Sequence, residues 1–277
     1  MAQQILPPSE SWRLIDAWLE THVAADFALL NPPATADEIR HAEQILGAPM
    51  PGDLAESLQC HNGVSTWATI LPEQSPLAVS GIVDHWQTCM TVAAENDGPT
   101  AHPWDDEPWW HRLWVPWAES ADGATQVIDL RPGPDVGRLG WAGHSGGGDF
   151  TDSWPDLASL LHAVAQALHE GGDVRGLHPY LTTQGGMWWD EEGCSELNGH
   201  PLRTAPVGLS WPADSTRTTR SFLLLKNIPK APDPAPFSER IDNRSSRRPT
   251  QPESSRSSGG SISSAPIAGS RSSRILQ

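Results

Sequence analysis

NPPATADEIRHAEQILGAPMPGDLAESLQCHNG, residues 31–63, decides the reading of this chain because it holds two short helices, each with its own start and stop. Asn31-Pro32-Pro33 keeps the backbone extended, since a residue ahead of proline is pushed out of the helical region. Thr35 and Glu38 then form a capping box, in which hydroxyl and carboxylate satisfy backbone donors left open at a helix start. Ile39, Ala42 and Leu46 recur at helical spacing on one face, Gly47 supplies the permissive C-terminal residue, and Pro49 and Pro51 forbid continuation. Pro51-Gly52-Asp53 reopens a second helix with Leu54, Ala55 and Leu58 inward, which reaches Cys60-His61 and stops at Asn62-Gly63.

The remaining elements are placed outward from this pair. Ser11-Trp12 begins a helix to about His22, with Trp12, Ile15, Trp18, Leu19 and His22 at core-facing spacing. Thr66 to Leu71, closed by Pro72, reads as a strand, and Ser80 as the cap of a longer helix in which Ile82, Trp86, Cys89 and Ala93 share a face. Asn96 to His111 has no periodicity and reads as a long surface loop. Leu113 to Ala118 and Thr125 to Leu130 read as strands joined across Asp122-Gly123, a hairpin signal, with Arg138 to Ala142 and Gly148 to Thr151 as two more. Ser153 with Asp156 starts the last clear helix, whose apolar face is Leu157, Leu160, Leu161, Val164 and Leu168 and which Gly171-Gly172 ends. This order predicts an α+β fold, a single domain with helices packed on one side of a mainly antiparallel sheet. The expected organisation is that domain over residues 1–175 and an extension packed on it over 176–228. A disordered tail is expected over 229–277, where Ser, Arg, Pro and Gly dominate and burial cannot offset the ordering entropy.

Residues 31–63 resemble the N-terminal pattern of the Smi/Knr family of the SUKH superfamily. The matching pieces are Pro33-Ala34-Thr35, Ile39, Ala42-Glu43, Leu46-Gly47, Pro51-Gly52-Asp53-Leu54 and His61-Asn62-Gly63, in that order, and the likeness extends through roughly the first 175 positions. Met50 stands where the pattern usually has Leu, a volume-conserving exchange. The resemblance implies a non-enzymatic, protein-binding function. Bacterial proteins of this kind look like immunity proteins that neutralise toxins by stoichiometric occlusion, whereas fungal relatives are linked to cell-wall regulation.

Charge bears on the partner. Asp and Glu outnumber Lys and Arg by 34 to 18, and residues 229–277 hold only 4 of the acids but 8 of the bases. No Lys or Arg lies between Arg40 and Arg112. Phosphate backbones demand cations, so nucleic acid is a poor partner, and a basic protein suits the field better; the resemblance implies that this partner is a toxin such as a nuclease. A solvated acidic surface kept for solubility is the plainer alternative. Cys60, Cys89 and Cys194 are odd in number and far apart, which excludes a disulfide framework or a paired zinc knuckle. The start of the chain lacks the pattern of a signal segment and no apolar run spans a bilayer, so a cytoplasmic protein without membrane association is expected.

Four motifs remain. Gly143-His144-Ser145-Gly146-Gly147 fits the Gly-x-Ser-x-Gly pattern of serine hydrolases, but glycines follow Ser145 where a nucleophile elbow needs a helix, so a glycine loop is the preferred reading over a catalytic Ser145. His102 and His111 near the acidic run could suggest a metal, yet no tight ligand spacing appears, and neither a metal nor another cofactor is expected. Cys60-His61 could suggest a dyad, but neighbours on a helix point to different sides. The last is Trp, with 14 copies against one Tyr and four Phe. Trp12, Trp18, Trp86 and Trp154 fall in core patterns. Asp105, Asp106, Glu107, Trp109 and Trp110 combine steering charge with large aromatics on the long loop and are expected to be the partner-binding residues; the alternative is that these tryptophans fold back over the sheet.

Overall fold

Both helices of residues 31–63 form, with ends held as the residues there dictate. In the computed structural model of the chain, which describes residues 4–95, 107–143 and 145–208, Thr35 Oγ1 accepts the Glu38 amide at 3.2 Å and the Glu38 carboxylate accepts the Thr35 amide at 2.7 Å. Helix α3 (Ala36–Leu46) ends on Gly47 at φ 68°, and α4 (Gly52–Cys60) follows. Before them lie α1 (Pro8–His22) and the single-turn α2 (Ala24–Phe27); after them come β1 (Ser75–Pro76) and α5 (Val79–Glu95). The order continues with β2 (Trp114–Glu119), β3 (Thr125–Asp129), β4 (Leu139–Ala142) and α6 (Leu157–Glu170).

His61-Asn62-Gly63 does more than stop α4. The His61 ring bridges the Asp16 carboxylate at 2.9 Å and the Asn31 carbonyl at 3.3 Å, tying α1 to the start of the stretch. Asn62 Oδ1 accepts the amide of Val79 at 2.8 Å and so caps α5 from seventeen residues away. Gly63 has φ 64°, and a Cβ there would stand 2.3 Å from the Ala78 nitrogen, so only glycine permits this backbone crossing.

Four local expectations are corrected. Ser80 lies inside α5 because Asn62 has taken the capping role. Thr66 to Leu71 is not a strand: the described pairing there is one bridge, Leu71 to Gln74, across a tight turn after Pro72, and the sheet takes up the chain only at Ser75. Gly148 to Thr151 contributes one bridge, Asp149 to Trp141. At α6 the cap is Asp156, not Ser153: its carboxylate accepts the Ser159 amide at 2.7 Å and the helix begins at Leu157.

The fold is α+β, with an antiparallel sheet in the order β1-β2-β3-β4. Pro116, which cannot donate to a ladder, sits in β2 beside a register shift before Ala118. One face of the sheet gives Val115, Trp117, Ile128 and Leu139 to the main core, shared with α1, α3, α4 and α6. The other face gives Trp114, Val127 and Ala142 to a second, smaller core closed by Cys89 and Ala93 of α5 and by Trp110. Burial on both faces is why β2 reads as an apolar run rather than an alternating strand.

Beyond α6, β5 (Leu177–Leu181) pairs with β6 (Met187–Glu191) and with β9 (Arg203–Thr204), while β7 (Glu196–Leu197) and β8 (His200–Pro201) form a small ribbon. Met187 donates its amide to Asp26 at 2.6 Å, and its carbonyl accepts Thr69 Oγ1 at 2.5 Å. Trp189 Nε1 donates to the Ile70 carbonyl at 3.3 Å and Trp18 Nε1 to the Pro206 carbonyl at 2.9 Å. The described part of the extension is thereby bonded to α1, α2 and the chain leading to β1. The tail expected over 229–277 lies outside the described residues. Among the described residues no helix is long and apolar enough to cross a membrane.

Candidate functional site

The residues singled out on the long loop divide. Asp105 and Asp106 lie outside the described residues. Glu107 is committed to the fold: its carboxylate accepts Arg131 at 2.5 and 3.0 Å and stands 3.4 Å from Arg138, and both arginines also bind Asp129. The Asp129 side chain is only 4% exposed. Burial opposes its ionisation, but the hydrogen bonds from Arg131 and Arg138 outweigh it and hold the carboxyl below its ordinary value. Arg131 sits 5.4 Å from the rings of both Trp114 and Phe150, and Arg138 4.2 Å from Phe150. Trp110 is not the exposed anchor expected. It is 1% exposed, packed edge-on to Trp114 at 5.9 Å, and Trp109 is half-buried beside it.

The glycine run has a packing explanation. Asp149 and Trp141 exchange two backbone hydrogen bonds at 2.8 Å, so the chain folds back on β4 instead of entering a helix, and the next helix begins at Leu157. Gly148 donates to the Pro108 carbonyl at 2.9 Å, and a Cβ on it would stand 2.4 Å from Trp114. Ser145 is exposed on this turn, and His144 lies outside the described residues. Cys60 is a poor nucleophile: burial, then the charges of Asp16 and Glu56, push its thiol up to about 11. His111 accepts the Leu113 amide at 3.1 Å, while His102 is outside the described residues.

The structure instead builds a groove of about 670 Å³ between β6, the β2–β3 turn, Trp141 of β4 and the chain from Trp67 to Glu73. Trp67, Trp141, Trp188 and Trp189 line it with Glu73, Asp122, Asp190 and Glu191, and no Lys or Arg among the described residues does. Period-2 alternation in β6 turns Met187 and Trp189 inward and leaves Trp188 and Asp190 at the surface. Trp188 Nε1 donates to Asp190 at 2.9 Å, which fixes the ring beside the carboxylate; that bond, against slight desolvation, keeps Asp190 below its ordinary pKa and charged. Trp67, 44% exposed, is the large aromatic most open to solvent at this site. Glu73 is held at φ 61° by the Leu71 to Gln74 turn and also lines a smaller adjoining pocket of about 170 Å³. Gln74 and Gln126, 2% and 5% exposed, stand in the wall of that pocket, and neither Oε1 accepts a hydrogen bond. Sequence reasoning passed over this site, although Trp188-Trp189-Asp190-Glu191 carries the same mixture of aromatics and acids as the loop it preferred.

An α+β domain with a Trp-lined acidic groove is thus the class that fold and site define. Residues 33–162 match the sequence model of the SMI1 / KNR4 family (SUKH-1), and this stretch is a domain of that family. The chain is 22% identical over 249 residues to a glucan synthesis regulatory protein of Neurospora crassa, an alignment covering 73% of this chain and 43% of that protein. It is 30% identical over 150 residues to the cell wall biosynthesis/cell cycle regulator smi1 of Schizosaccharomyces pombe, covering 47% of this chain and 30% of the relative. The chain therefore spans less than half the length of these curated relatives.

Proposed function

We propose that this chain is a non-catalytic regulator that works by binding another protein, with the groove as its contact surface and with cell-wall synthesis as its setting. The observation that carries the reading is the groove lining, aromatics and carboxylates together, the combination that anchors a partner and steers its approach. The names of the two relatives support the setting. The residues that hinted at catalysis support the non-catalytic part: Ser145 lies on a hairpin turn, and the Cys60 thiol is pushed away from reactivity. Its three free thiols suit the reducing cytoplasm.

Deletion of the gene tests this. Cells lacking it should be hypersensitive to cell-wall stress, and the chain should restore resistance while a folded Trp188→Ala/Asp190→Asn variant should not. A fluorophosphonate probe should leave Ser145 unlabelled. Unchanged stress resistance on deletion, or labelling abolished by Ser145→Ala, contradicts the reading.

A second reading rests on the charge, 30 acids against 10 bases over residues 1–228. In it the protein is an immunity protein whose acidic surface occludes a basic toxin. Expression of the chain should then protect cells against a toxin encoded beside it, through a stoichiometric complex.

A further inference from the structure

We propose that the groove takes an arginine-bearing, extended segment of the partner; this rests on the protein-binding reading above and names the chemistry of its ligand. The chain displays how it holds guanidinium groups elsewhere. Arg131 lies between two carboxylates, Glu107 and Asp129, with the rings of Trp114 and Phe150 against it. Arg175 lies 4.2 Å from Trp154, its Nη2 donating to the Ser153 carbonyl at 2.9 Å. The groove repeats that pairing of carboxylate with indole, with Asp190 bonded to Trp188 and with Glu73, Glu191, Trp67 and Trp141 also in its lining, but lacks the cation. Among the described residues Glu73, Asp190 and Glu191 form no salt bridge with Lys or Arg.

Three physical reasons select arginine within an extended peptide. A planar guanidinium stacks on indole while its edge donates to carboxylates, so one side chain uses both kinds of lining at once. The adjoining pocket, which shares Glu73, Trp141 and Leu177 with the groove, is of side-chain size, and Asp149 and Asp152 line it with Glu73 against Arg175, the single cation there among the described residues. The open groove is several times larger than that pocket, which suits a stretch of chain carrying the arginine rather than a free ion.

The test uses the full chain and fluorescein-labelled peptides alternating Arg with Ser and Gly, read by anisotropy. A matched peptide with citrulline in place of Arg keeps shape and removes charge. The Arg peptide should bind, with affinity falling as salt rises, and the citrulline peptide should bind roughly tenfold or more weakly. Glu73→Gln with Asp190→Asn, and separately Trp188→Ala, should each lower affinity for the Arg peptide, after circular dichroism shows that the variants fold. Equal binding of Arg and citrulline peptides overturns the proposal, as does binding insensitive to all of these variants. Binding of a neutral glucose oligomer in competition with the peptide also overturns it and makes the groove a carbohydrate site. If no peptide binds while a verified protein partner still does, the arginine proposal fails and the protein-binding reading stands.

Discussion

Trp110 and Trp67 differ in what surrounds them, and a pair of substitutions reads that difference. Trp110 fills the small core on the far side of the sheet at 1% exposure, so Trp110→Ala should cost about 3–5 kcal/mol in urea denaturation. Trp67 is 44% exposed, and Trp67→Ala should stay within about 0.5 kcal/mol of the parent. Equal costs would mean that these two environments are misassigned. The sequence could not separate these residues. Trp109-Trp110 and Trp188-Trp189 are alike as strings beside acids, and burial of Trp110 depends, beyond Trp114, on Val127 and Cys89, neither of them a near neighbour in sequence. Glu107 misled for the same reason, because the arginines that neutralise it lie 24 and 31 residues further along.

Elements whose ends are written locally were legible. Thr35 and Glu38, Gly47 and the Asp122-Gly123 turn act within a few residues of themselves, and each sits where its chemistry predicts, while at α6 the cap moves from the expected Ser153 to Asp156. The start of α5 was not legible, since its cap comes from Asn62 across the loop from α4. That hub makes a prediction at the scale of the element. Gly63→Ala combines a positive φ with a backbone clash at Ala78 and should cost about 3 kcal/mol or more, or prevent folding. Asn62→Ala loses one cap and should cost about 1 kcal/mol. Denaturation midpoints that put Asn62→Ala as the worse of the two would contradict this account of the crossing. The match to His61-Asn62-Gly63 that suggested the family is, on this geometry, a joint between α1, α4 and α5.

For the whole molecule, charge sets the response to pH. Burial lowers the pKa of His85, His111 and His162, with Arg131 adding to the effect at His111 and Glu119 working against it at His85. The unfolded chain therefore takes up protons first. Stability from these neutral rings is fully present above the ordinary histidine value of about 6.5 and is lost as pH falls below it toward the depressed folded values. The melting temperature should drop between about pH 7 and pH 5, and His162→Gln should flatten that drop. Asp129 acts in a lower window, since its depressed pKa keeps its contribution until pH falls below the ordinary carboxylate range. A melting temperature that rises on acidification from neutrality would reverse the sign and contradict these histidine environments.

Under the proposed reading the acidic balance of residues 1–228 also bears on function, because a field of one sign would hasten the approach of an oppositely charged partner and the groove would decide where it settles. Hydrogen–deuterium exchange on the full chain, alone and with a verified partner, locates that contact directly. Binding at the groove predicts protection over residues 67–73, 120–124 and 188–191. Protection confined to the segment around Glu107–Trp114, with these three stretches unchanged, would contradict the groove as the site of partner recognition.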